Sequence, residues 1–319
     1  MTTTTPPHAG LEPARSARGD TAFRAASFLC GLAVLAILGL IAVSLTQKAL
    51  PALREEGFGF LTSSRWAPNE GEFGALAFVY GTMIISAIAL VFAVPVSIGI
   101  ALFLTEVAPR RLRKVVSYLI DLLAAIPSVV YGLWGVLVLA AVIVDAYDAV
   151  GRVLSPVPLL GRLFEGPANG RSLFTAGLIL ALMITPIITA ITREIFDTVP
   201  PGQKEAALAL GATRWEMIRG AVFPHSRSGM VGAVMLGLGR AMGETIAAAL
   251  VIGSSPRISA QLFGPGDALP SVIAFQFGEA SGTYRSALIA LGVVLFAMTI
   301  VVNVFARLIV NRGQEARAA

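Results

Sequence analysis

The sequence predicts an all-α membrane protein with six transmembrane helices and both termini on the cytoplasmic side. Three observations carry that expectation. Of the 319 residues, 56% are hydrophobic and only 13% charged, and mean hydropathy is +0.79. A soluble domain carries nearly twice that charged share, so this chain cannot cover itself with polar surface. Six apolar runs approach or exceed the roughly 20 residues that a spanning helix needs. Finally, Lys and Arg concentrate in alternate connections, as the positive-inside rule requires.

In chain order, residues 1–24 are expected to form a disordered cytoplasmic tail rich in Thr, Pro, Gly and Arg. Arg15, Arg18 and Arg24 precede the first apolar run, Ser27–Leu45. A signal peptide would look similar, but this run is longer than an h-region and no small-residue cleavage site follows. It reads as an uncleaved first span over 25–47, followed by an external loop over 48–74. A membrane core then occupies 75–312, with a cytoplasmic hairpin at 197–225 and a C-terminal tail at 313–319. Its spans are Ala75–Leu104, Val115–Val144, Leu173–Ile191, Ser228–Gly253 and Ser286–Val310. With the N-terminus inside, 15 basic residues fall on cytoplasmic segments and 8 on external ones.

Pro95, Pro127 and Pro186 sit inside three of these spans. Each removes an intrahelical hydrogen bond, either as a plain packing kink or to shape a cavity or hinge. Asp121 is placed near the start of the third span, where a helix dipole favours an acid. The external segment Ile258–Ala280 mixes apolar residues with Gly264, Pro265, Gly266 and Pro270. A short helix at the outer surface is expected there.

The stretch Pro200–His225, PPGQKEAALALGATRWEMIRGAVFPH, is too organised for a linker. Pro200 and Pro201 suit a helix start, and Gly211 suits a left-handed stop. Thr213 and Glu216 have capping-box spacing. A DNA-reading helix-turn-helix is excluded by its tether between two spans, and no basic cluster with interleaved aromatics suggests nucleic acid. One cysteine, Cys30, and two distant histidines, His8 and His225, leave little for a zinc site or a catalytic triad.

The stretch EAALALGATRWEMIRGAVFP resembles the EAA loop of ABC importer membrane permeases. Glu205, Ala206, Ala207, Gly211 and Pro224 match its pattern, with Phe223 where Leu is commoner. AAIPSVVYGLWG (Ala124–Gly135), GLGRAMGETIAAALVIG (Gly237–Gly253) and WAPNEGEFG (Trp66–Gly74) resemble phosphate-specific permeases of the PstC type. The likeness covers roughly Trp66 to Arg312 and leaves the N-terminal tail out. It implies a type I importer permease fold in a bacterial plasma membrane, with no cofactor and no catalysis by the chain itself. It implies partners too: a homologous second permease (PstA type), a dimer of ATPase subunits docked on the loop, and an external phosphate-binding protein. The loop would then be a coupling hairpin, with Glu205, Ala206, Ala207 and Gly211 at the ATPase. Lys48, Lys114 and Lys204 are the only lysines, and none sits in a Walker A pattern.

Arg240 and Glu244 remain, two full charges in the middle of an apolar run. Arg240 lies 12 residues beyond Ser228, about 18 Å into a span. A guanidinium at that depth costs roughly 2.5–3.5 kcal/mol on insertion scales, so it should face polar space rather than lipid. On a continuous helix Glu244 would lie one turn further along the same face. Two readings stay open: an ion pair that locks the bundle, or an anion route in which Arg240 grips the solute and Glu244 tempers the grip. Gly239 and Gly243 would either let helices approach closely or leave room for a solute.

Overall fold

A computed structural model of the chain describes residues 17–154, 156–157, 161, 163–164 and 170–318. Two compact units result, residues 1–47 and 48–319. In the first, helix α1 (Ala17–Glu56) begins eight residues before the expected span and ends nine after it, carrying on past Gln47 into the second unit. The remainder of the expected tail, residues 1–16, lies outside the described residues. Over 28–45 apolar side chains such as Phe28, Leu32, Leu35 and Leu40 are exposed. A helix apolar on all sides suits lipid.

In the second unit, the last turns of α1 are followed by a short helix α2 (Gly59–Thr62) and a two-stranded ribbon. The ribbon pairs β1 (Trp66–Ala67) with β2 (Glu72–Phe73) in antiparallel register, Trp66 opposite Phe73. Trp66 packs edge-on against Phe73 and Phe78. Its indole N–H donates to Gln276 Oε1 at 3.0 Å, which also accepts from the Tyr284 hydroxyl at 2.8 Å.

Helix α3 (Leu76–Leu102) runs into a π-turn at Phe103–Val107. It lies along α7 (Leu173–Asp197). At Gly177 an added Cβ would stand 2.5 Å from Ile88 Cγ2, so only glycine permits this approach. Ile85, Ala89 and Ala93 of α3 form a core with Ile184 and Ile188 of α7. Small residues fill such a contact because between lipid tails helices gain by close packing rather than by excluding water.

Two further clusters mark the two ends of α3. Phe78, near its start, is buried with Phe60, Phe73, Leu269 and Leu288. Ala101, near its end, is buried with Phe196, Met217 and Val222. A short helix does form in the segment Ile258–Ala280, α12 (Leu269–Gln276), with Leu269–Val272 buried, and the last helix is α13 (Gly282–Ala318), which continues through 313–318 where a tail was expected.

Five helices among the described residues are long and apolar enough to cross a membrane: Gly19–Glu56, Leu76–Val107, Ser128–Leu154, Leu173–Asp197 and Gly282–Leu308. Two expected spans are redrawn. The run Val115–Val144 is split at Pro127 into α4 (Arg110–Ala124) and a second stretch, α5 (Ser128–Trp134), a π-turn and α6 (Ala140–Leu154). Pro127 takes an extended conformation and starts the new helix, because it has no N–H to continue the old one. Asp121 therefore sits near the end of α4, not at a helix start as expected, and it is exposed.

The run Ser228–Gly253 is not one span either. It is broken into α10 (Phe223–Met242) and α11 (Ile246–Val251). In a continuous helix the Ala247 N–H would bond to the Gly243 carbonyl. Here Ala247 N–H donates to Glu244 Oε1 at 3.3 Å, and the Gly243 carbonyl accepts from the Thr245 hydroxyl at 3.2 Å. Side chains on both sides of the break thus replace the lost backbone bond, and α11 packs on α5. At Gly132 an added Cβ would lie 2.9 Å from Ala247 Cα.

Candidate substrate groove and coupling hairpin

The face of α10 that turns away from α7 lines a cavity of about 770 Å³. Ser228, Val231, Gly232, Met235, Gly239 and Arg240 all border it. Their spacing, three or four residues with each turn, is that of one helical stripe. Asn303 and Arg307 of α13 close the other side, with Ile187 of α7. Arg240 is exposed in the last turn of α10. It faces open space, as its charge demands.

Glu244 does not share that face, because the helix ends before reaching it. Its residue is buried, 9% exposed, and its carboxylate serves the first turn of α11. The ion pairs among the described residues do not join Arg240 to Glu244. The expectation of a pair on one helical face is therefore corrected: the helix ends at Met242, and Gly243 interrupts it between them. Within α10, what each glycine faces separates their roles. A Cβ on Gly237 would stand 2.7 Å from Ile188 Cδ1, whereas one on Gly239 would meet nothing within 4 Å. Gly237 serves packing, and Gly239 opens the groove.

At the other end, α8 (Pro201–Ala209), α9 (Arg214–Met217) and a π-turn at Ile218–Val222 form the hairpin. Gly211 has φ +85°, the left-handed stop that its position suggested. The capping box is complete: the Thr213 hydroxyl accepts from Glu216 N–H, and Glu216 accepts from Thr213 N–H at 2.7 Å. That bond holds the Glu216 carboxyl below its ordinary range.

Glu205, Ala206 and Gly211 are exposed, while Ala207 is half-buried and packs against the cluster formed by Ala101, Phe196, Met217 and Val222. Leu210 is 89% and Trp215 60% exposed at the tip. The hairpin is anchored as well as displayed. Lys204 Nζ lies 2.6 Å from Glu106 Oε1 in the π-turn that ends α3, with side-chain exposures of 21% and 8%. Arg113 of α4 pairs with Asp197 at the end of α7.

Residues 93–313, which hold the groove and the hairpin, match the model of the family described as "Binding-protein-dependent transport system inner membrane component". The chain belongs to this family. It is a multi-pass membrane protein of the ABC transporter permease class. Among curated relatives, the phosphate transport system permease protein PstC of Mesorhizobium japonicum is 46% identical over 300 residues, covering 93% of this chain and 92% of that one. PstC of Xylella fastidiosa is 46% identical over 299 residues, with the same coverage. Among solved structures, a bacterial alginate ABC transporter in complex with an alginate-bound periplasmic protein aligns with TM-score 0.58 at 18% identity, covering 92% of this chain and 96% of that one. That likeness concerns the permease fold alone.

Sequence reasoning singled out Arg240 and the EAA residues but missed Asn303 and Arg307. Arg307 was counted only as a cytoplasmic charge. Its four-residue spacing from Asn303, inside an otherwise apolar helix, was the available signal.

Proposed function

We propose that this chain is the permease subunit of an ATP-driven importer that carries inorganic phosphate across a bacterial plasma membrane by alternating access. The observation that carries the reading is Arg240: an exposed guanidinium on a groove of about 770 Å³ whose lining among the described residues includes no carboxylate. Planar donors match two oxyanion oxygens at once. The phosphate transport permeases that resemble this chain along nearly its whole length support the choice of anion.

In this reading α10 and α11 together make a sixth crossing, so both termini are cytoplasmic. A homologous PstA-type permease faces the groove, an external phosphate-binding protein delivers the anion, and an ATPase dimer takes the hairpin tip at Glu205, Ala206, Ala207 and Gly211. Closure of that dimer pushes the hairpin, and the push reaches α3 through Lys204 and Glu106. Glu244 acts on Arg240 indirectly, by fixing the break at which α10 ends. ATP hydrolysis belongs to the partner.

The test is uptake of labelled phosphate by the reconstituted complex, with sulfate, molybdate and phosphonate as competitors. Phosphate is expected to be taken up and the competitors to leave it nearly unchanged. Arg240→Gln is expected to abolish uptake while the complex still assembles and binds ATP. Normal uptake by that variant, or stronger uptake of another oxyanion, overturns the assignment.

A further inference from the structure

Arg240 is not the only guanidinium on the groove. Arg307 lines the same cavity from α13, with Asn303 one turn before it on the same face. Neither arginine takes part in an ion pair among the described residues. Among the described residues the cavity lining holds two positive charges, a carboxamide and a serine hydroxyl, but no acid. Such a combination is costly in a protein that crosses lipid unless something negative visits it.

The two charges sit at different depths, and α3 serves as the ruler. The start of α13, at Ala287 and Leu288, is buried with Phe78 near the beginning of α3. Val222, the residue that leads into α10, is buried with Ala101 near the end of α3. Helices α10 and α13 therefore run in opposite senses. Arg240, in the last turn of α10, lies toward the middle of the bundle. Arg307, 25 residues after Gly282, lies toward the hairpin side. The α10 stripe from Ser228 to Arg240 spans about 18 Å. One phosphate cannot touch both ends of such a groove.

We infer that Arg307 and Asn303 form a second oxyanion station, on the hairpin side of the groove, which receives phosphate released by Arg240 before it leaves the membrane. The inference rests on the phosphate reading above and adds the exit half of the route. Its logic is kinetic. A single strong site in a dry passage holds its ion, whereas two sites of moderate strength let it move on. The Asn303 carboxamide supplies a neutral donor beside the guanidinium, so the grip is directional without adding charge.

The test uses the whole complex in membrane vesicles. Cys30, the chain's only cysteine, is replaced by serine, and Asn303→Cys introduces one thiol at the station. Its labelling is followed by mass spectrometry of this chain, using a negatively charged methanethiosulfonate (ethylsulfonate) and a positively charged one (trimethylammonium). The anionic reagent is expected to react at least fivefold faster, phosphate to slow it, and Arg307→Gln to erase the preference. In the otherwise native chain, Arg307→Gln is expected to lower phosphate uptake about tenfold with assembly and ATP binding unchanged, and Arg307→Lys to retain most of it.

Equal rates with both reagents, an unreactive thiol, or undiminished uptake by Arg307→Gln overturns the station. A preference that free phosphate leaves untouched assigns Arg307 to lipid headgroups and overturns it too. If the native complex carries some other oxyanion, the phosphate reading fails by itself, and that oxyanion replaces phosphate as the competitor that decides the station at position 303.

Discussion

Gly237 and Gly239 lie two residues apart on α10, about 200° around the helix axis. The same substitution at each should therefore have opposite consequences. At Gly237 an added Cβ would stand 2.7 Å from both Cδ1 and Cγ1 of Ile188, which is itself fully buried. Carbon atoms pack at about 3.5–4.0 Å, so α7 and α10 must separate by roughly 1 Å before the rest of a leucine is accommodated. Overpacking of this kind costs up to about 3 kcal/mol. Leucine's better helix propensity returns about 0.8 kcal/mol. Gly237→Leu should thus lose about 2 kcal/mol, a factor of about 30 in the folded population. Gly239→Leu meets nothing within 4 Å, keeps the propensity gain, and places an isobutyl group in the groove. Thermal unfolding of the purified complex and labelled-phosphate uptake separate the two. Gly237→Leu is expected to melt lower and assemble poorly. Gly239→Leu is expected to melt at or above the native midpoint while uptake falls at least tenfold. Equal destabilisation by both, or native uptake by Gly239→Leu, would refute the division of labour between them.

Two other substitutions probe the ends of the molecule. Gly211→Ala forces a side chain onto φ +85° with no neighbour to clash with, so the cost is pure backbone strain of about 1–2 kcal/mol. About tenfold less ATPase should co-purify, with the membrane core melting as before; native recovery of the ATPase would remove the hairpin from that interface. Asp267, in the connection before α12, is 7% exposed, and burial pushes its carboxyl up from 3.8 to about 6. A raised acid binds its proton more tightly folded than unfolded. Stability from this group is therefore greatest below about 4 and lost as pH rises toward 6, by about 3 kcal/mol in all. Asp267→Asn should raise the melting midpoint at pH 7.5, and the gain should shrink as pH falls toward 4. A gain independent of pH would mean that the carboxyl is ionised throughout.

Local rules proved readable where neighbouring residues settle the outcome. The Thr213–Glu216 box and the Gly211 stop needed only their own spacing, and the helix Leu269–Gln276 announced itself between glycines and prolines. Hydropathy alone misled at Pro127 and at Gly243. Both breaks occur inside long, mainly apolar runs, and a count of apolar residues does not register a missing N–H or a carboxylate that replaces a carbonyl. The reading of Arg240 and Glu244 as neighbours on one face inherited that error. Gly237 and Gly239 look alike in sequence. Only tertiary packing, Ile188 beside one and open space beside the other, tells them apart. Arg307 was hidden because a charge near the end of a last span satisfies the positive-inside rule whether or not it lines anything.

The contact between Lys204 and Glu106 has a mechanical meaning. Greasy surfaces slide over one another at little cost, so a joint made only of Ala207 against the apolar cluster around Ala101 and Phe196 would slip under load. A short, nearly dry bond between opposite charges does not slip; it holds its length or it parts. The handle is thus riveted to the rod beside it, and it is riveted at a π-turn, where the rod is easiest to bend. Force arriving at the hairpin would then turn the tip of that rod before displacing the rest, so that the hairpin end of the bundle responds first and the opposite end follows.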